Sequence, residues 1–137
     1  TIMKRIVDSE LLKVKEYRYS DVPYYFLKSF LESKYGKSLD LIIKNEVFSK
    51  IRATSLTYNP RDYYPKDNIV PSEIDSYFRY AKLQGFVHDM GAAMQGGIGG
   101  HAGLFGNSED IAKIMHLFLS KGKFGDNEIF SSSNEEL

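Results

Sequence analysis

The chain has 137 residues, 42% hydrophobic and 26% charged, with no cysteine and no tryptophan. That length fits one domain or a piece of one, large enough to bury a real core. Eighteen basic residues balance eighteen acidic ones, so no net field favours nucleic acid or an acidic membrane. Disulfides, thiolate metal sites and cysteine nucleophiles are excluded by composition.

Taken in chain order, residues 9–14 have the makings of a short helix. The opening lacks the apolar core of a signal peptide. No run of about 18 apolar residues occurs anywhere, so no membrane-spanning helix is expected. Next comes YSDVPYYFLKSFLESKYG. Ser20 or Asp21 can cap a helix there, Pro23 suits its first turn, and Gly36 is a natural stop. Phe26, Leu27, Phe30 and Leu31 form its apolar stripe. Ser38 then opens LDLIIKNEVFSKI, with Leu39, Ile42, Ile43 and Val47 on one side. The turn between the two helices is short, so they should pack as a pair.

Residues 52–72 hold Pro60, Pro65 and Pro71, three of the chain's four prolines. Proline lacks a backbone donor, so this stretch reads as a long ordered loop with interleaved tyrosines. One or two helical turns are expected over residues 73–83. Six of the eleven glycines then fall between Gly96 and Gly106. The following helix begins at Asn107 or Ser108, with Glu109 and Asp110 complementing its dipole. Its expected buried face is Ile111, Ile114, Met115, Phe118 and Leu119, and Lys121 and Gly122 close it. A Gly-Asp-Asn turn follows, and residues 132–136 look like a capping box. Both ends of the sequence read as cut.

Gly97-Ile-Gly-Gly-His-Ala102 matches the letters of a dinucleotide-binding loop. It lacks the preceding buried strand, and the helix starts five residues late. His88, Asp89 and His101 lie close in sequence, but no H-x-x-x-H spacing supports a metal site. The reading is therefore no metal and no cofactor. His88 with Asp89, and His101 by itself, are expected to fix loops. His116 reads as an ordinary helix residue.

Two stretches carry a resemblance. YRYSDVPYYFLKSFLESKYGKSLDLIIKNEVF and GFVHDMGAAMQGGIGGHAGLFGNSEDIAKIMHLFL resemble segments of the serine β-lactamase-like family. That family includes class C β-lactamases, D-alanyl-D-alanine carboxypeptidases and esterases. The G-H-A-G-L-F run is its most specific part. The resemblance implies a mainly α piece, the helical subdomain of that α/β fold, with long ordered loops. It implies that Tyr19 is a catalytic proton carrier. Asp21 would then touch substrate, at a position where the family more often has asparagine. Aspartate keeps an acceptor but loses the amide donor and adds charge, which suits an amine-bearing substrate. Without the resemblance, Tyr19 is a half-buried aromatic at a helix start and Asp21 an N-cap.

The resemblance further implies a serine hydrolase acting through an acyl-enzyme on a small-molecule or peptide substrate, outside the cytoplasm. The Ser-x-x-Lys nucleophile is expected upstream and a Lys-Thr-Gly or His-x-Gly strand downstream, neither within these residues. The piece itself should be inactive. A catalytically dead protein that binds cell-wall peptides or a partner is the alternative.

Overall fold

The computed structural model describes residues 2–11, 13–14 and 16–131. Helix predominates, with two small antiparallel hairpins. α1 spans Ile2–Val7. The described part of residues 9–14 is bend and coil, so the helix expected there lies earlier in the chain. Ser9 Oγ donates to the Ile6 carbonyl at 2.6 Å, which ends α1 where a helix was expected to begin.

α2 runs Val22–Tyr35, and Gly36 ends it in the left-handed conformation at φ 62°. Only a residue tolerant of positive φ closes a helix this way. α3 is Leu39–Ile43 and passes directly into a π-helical turn, Lys44–Phe48. Ser38 has the extended backbone of an N-cap, but its hydroxyl makes no capping bond. Glu32 of α2 accepts from the Leu39 N–H at 3.0 Å instead. One carboxylate thereby fixes the corner between the two helices. Val47 and Phe48 turn inward at the end of the wider π turn, and Glu46 stays in solvent.

Phe48, Ile51, Ala53, Leu56 and Leu117 form the central core. Ile51 is fully buried. The long loop is ordered, as its prolines suggested. It makes two 3-10 turns, Pro60–Asp62 and Lys66–Asn68.

Residues 73–83 are a hairpin, not helical turns: β1 (Pro71–Asp75) pairs with β2 (Ala81–Gln84). The reason is one side chain. Asp75 accepts from the N–H groups of Tyr77, Phe78 and Arg79 at 2.7–3.0 Å and from Arg79 Nε at 2.9 Å. A side chain that satisfies three consecutive backbone donors offers an alternative to the helical ladder. Those bonds, the Phe78 N–H foremost, hold the Asp75 carboxyl far below the usual carboxylate range. Arg79 also ties the hairpin to the carbonyls of Val87 and His88.

α4 is a single turn, Met90–Ala93, and α5 runs Ser108–Leu119. Asn107 caps α5 by accepting from the Asp110 N–H. Its rotation differs from expectation. Asp110 and Leu117 are buried and Ile114 packs on the core, whereas Ile111, Met115, Phe118 and Leu119 are exposed. A polar anchor sets the face. Asp110 Oδ2 accepts from both Ser55 N–H and Ser55 Oγ at 2.7 Å. Lys113 bridges Asp110 Oδ1 and the Arg52 carbonyl. Positions 110, 113, 114 and 117 therefore point inward at helical spacing. Likewise α2 buries no residue, and Phe26, Leu27 and Phe30 of its stripe are exposed.

β3 (Lys123–Phe124) and β4 (Asn127–Glu128) close the expected Gly-Asp-Asn turn as a second hairpin. The capping box at residues 132–136 lies outside the described residues. Among those described, no helix is long and apolar enough to cross a membrane.

Candidate functional site

The glycine-rich segment packs against protein on three sides. Thr57 and Phe105 exchange two backbone hydrogen bonds of 2.9 Å, pinning the segment to the loop before Pro60. Tyr58 donates its phenol to the Gly99 carbonyl at 3.2 Å. Gly103 sits at φ 113°, and any Cβ there would strike the Gly97 carbonyl oxygen. On α2, Lys28 Nζ donates to the Ile98 carbonyl at 2.5 Å. Its close contacts are with α2, α4 and residues 55–59.

These contacts bring the start of α2 against the turn that opens α4. Asp89 caps α4, with Oδ1 accepting from the Ala92 N–H at 2.6 Å. The same oxygen meets His101 Nε2 at 2.9 Å. Burial pushes the Asp89 carboxyl up, but bonds from Ala92 and His101 outweigh it and the net shift is downward. The His101 side chain is only 6% exposed, and Tyr25 lies against its ring at 5.1 Å. The Tyr25 phenol occupies the space a Cβ at Gly91 would need, so a larger residue there requires Tyr25 to shift.

Asp21 stands at the N-cap position of α2, yet its side chain caps nothing. Ser20 Oγ accepts from the Val22 N–H instead, at 3.2 Å. The Asp21 carboxylate is left to accept from the Tyr19 phenol at 3.0 Å. Ligand atoms of Asp21, Asp89 and His101 all lie within 4.8 Å of one another. Two sequence-separated stretches thus converge at one point.

Tyr19 itself is 77% exposed rather than half-buried. Its hydrogen bond to Asp21, reinforced by the charge of that carboxylate, raises the phenol above its ordinary value. In this arrangement Tyr19 is a proton donor. A role as base requires a cation nearby to reverse the effect.

His88 does not join the cluster. It is exposed and meets Glu73 of β1 at 3.0 Å. His116 lies edge-on to Phe124 with its Nε2 3.3 Å from Ser120 Oγ. A cavity of about 380 Å³ lies elsewhere, lined by Ser55, Pro60, Tyr64, Ile69, Phe105 and Asn107 among others. Ser55 and the Asn107 side-chain carbonyl oxygen are already bonded to the start of α5, so these two groups of the wall serve the fold.

Residues 120–123 read Ser-Lys-Gly-Lys, which does satisfy the letters Ser-x-x-Lys that the chain was expected to lack. The geometry removes the chemistry. That spacing presents lysine to serine only if a helix continues through it. Here Ser120 is the C-cap of α5, and Lys121 and Gly122 both have positive φ. Similarly, His101-Ala-Gly103 spells His-x-Gly, but it lies in a loop and not on a strand.

The chain is similar to enzymes of the bacterial cell wall by name. It is 32% identical to an Escherichia coli K12 protein named "Putative D-alanyl-D-alanine carboxypeptidase", over 87% of this chain and 30% of that protein. It is 30% identical to an N-acetylmuramyl-L-alanine amidase of Bacillus subtilis 168, with the same two coverages. A Salmonella agona protein named like the first is 30% identical over 82% of this chain. The chain therefore spans about 30% of the length of the curated relatives it matches. No protein-family profile matches it, and no solved structure does.

Proposed function

We propose that the whole protein is a hydrolase acting on amide or ester bonds of cell-wall peptides through a serine acyl-enzyme, outside the cytoplasm. The observation that carries this is the convergence of both resemblance-bearing stretches at Asp21, Asp89 and His101, beside an exposed Tyr19. The names of the relatives, a carboxypeptidase and an amidase, support the substrate class.

In this reading the attacking serine and its lysine come from a segment outside these 137 residues. Tyr19 relays a proton between the serine, the lysine and the leaving group. Such a relay needs its members within hydrogen-bond reach. The lysine would also supply the positive charge that offsets Asp21 and brings the phenol back toward a useful pKa. Asp21 contacts substrate, its carboxylate favouring an amine-bearing group. Backbone N–H groups would form the oxyanion hole.

The test is covalent labelling of the full-length protein with a fluorophosphonate or penicillin probe, followed by mapping of the modified serine. A labelled serine in a Ser-x-x-Lys outside residues 1–137 is expected; labelling at Ser120 or no labelling overturns the acyl-enzyme. These 137 residues alone should not turn over nitrocefin or p-nitrophenyl esters.

A binding protein without catalysis is the second reading. The pinned, raised Tyr19 phenol favours it. The same labelling separates the two, because a binding protein leaves no acyl-serine.

A further inference from the structure

Asp21, Asp89 and His101 form a donor set of two carboxylates and one imidazole, and nothing in the proposed hydrolysis uses Asp89 or His101. Asp89 Oδ1 and His101 Nε2 are 2.9 Å apart. Two neighbouring ligands on a first-row metal, with bonds of about 2.0–2.2 Å, sit at about that separation. Asp21 is the third arm. Its carboxylate oxygen lies within 4.8 Å of the other two ligand atoms.

Each member is available for the task. Asp21 carries no helix-capping bond and accepts one from Tyr19. Asp89 is held in place by the Ala92 N–H. The His101 side chain is more than nine-tenths buried with Nε2 facing the carboxylates. Its Nδ1 is buried with no hydrogen-bond partner. That orphan matters for the tautomer. Moving the ring proton from Nε2 to Nδ1, as ligation requires, breaks no bond at Nδ1. The only bond given up is the one to Asp89, and both of its atoms would then lie on the metal.

We infer that these three residues bind one divalent transition-metal ion, of the Mn²⁺ or Zn²⁺ kind that mixed carboxylate and imidazole donors suit. Asp21 would give up its bond from Tyr19 to do so. The inference does not rest on the acyl-enzyme, and an Asp21 held on the ion would be withdrawn from the substrate contact proposed above.

The test is titration of the full-length protein with Mn²⁺, followed by the electron paramagnetic resonance of the free ion, and with Zn²⁺ by calorimetry. One ion per chain is expected. Affinity should fall at least tenfold in Asp21→Asn and in His101→Gln, and stay unchanged in His88→Ala. Asp21→Asn is the decisive variant if His101→Gln fails to fold, because Asp21 caps no helix. Absence of saturable binding, or binding retained in Asp21→Asn, overturns the site. Serine labelling of the full-length protein would be unaffected by that result, so the two proposals fail separately.

Discussion

Two carboxylate clusters sit at helix starts in this molecule, and they are built on opposite plans. At the start of α5, Asp110 is almost fully buried, and both of its oxygens are bonded, to Ser55 twice and to Lys113. At the start of α2, Asp21 is partly exposed, caps nothing, and accepts from one exposed phenol. A carboxylate whose bonds are all made inside the protein stabilises a fold. One that declines the cap beside it and faces a second acid and a buried imidazole has capacity left for a ligand. Asp75 belongs with the first plan, its oxygens serving three backbone donors and Arg79.

Acidification should separate the plans most strongly, because it acts on several groups at once. The carboxyls of Asp75, Asp89 and Asp110 are all held below their ordinary values in the folded chain. Backbone and Arg79 bonds do this at Asp75. At Asp89 and Asp110 burial acts the other way and the bonds prevail. A depressed folded pKa contributes stability that is complete above the unfolded value, about 4, and lost as pH falls below it. Urea unfolding should thus show a flat plateau near neutrality and a steep loss below about pH 4. A stability that rises on acidification would contradict the bonding described for these three.

Among substitutions, Asp110→Ala should cost most, about 3 kcal/mol, since it removes the buried carboxylate partner of Lys113 and strands two Ser55 donors. Denaturant midpoints measure it. A loss under about 1 kcal/mol would mean that Asp110 does not set the rotation of α5. Asp89→Ala removes a helix cap and the partner of His101, at about 1–2 kcal/mol. Hydrogen exchange at Ala92 should rise with it. The smallest stability change belongs to Asp21→Asn, within about 0.5 kcal/mol. Its effect is chemical: the Tyr19 phenol should titrate lower, nearer the ordinary value of about 10. Carbon-13 tyrosine spectra against pH would read that shift, and an unmoved Tyr19 would break the contrast drawn between the two aspartates.

Local signals in the sequence were reliable where the chain itself supplies the partner. Gly36 stops α2 and Asn107 caps α5 because both act on their own neighbours. The hairpin at residues 71–84 was hidden because no Asn-Gly or Asp-Gly pair marks its turn. A pattern of Asp followed by backbone donors at two, three and four residues would have been the clue. The buried face of α5 was misread because apolar periodicity outvoted Asp110, whose partner Ser55 lies 55 residues away. The resemblance singled out Tyr19 and Asp21, and their mutual bond follows from a two-residue spacing. Joining Asp21 to Asp89 and His101 was not legible, since no spacing rule links positions 68 and 80 residues apart.

By itself the sequence determined what depends on neighbours along the chain: the stop of α2, the cap of α5, the proline-rich loop, and the absence of thiol chemistry. Tertiary structure decided which face each helix buries and which acids keep a free lone pair. The stop at Gly36 and the cap at Asn107 are settled within one turn of backbone, so short range suffices for them. Burial and the pairing of charged groups are settled by whichever distant segment arrives, and only the folded chain specifies that.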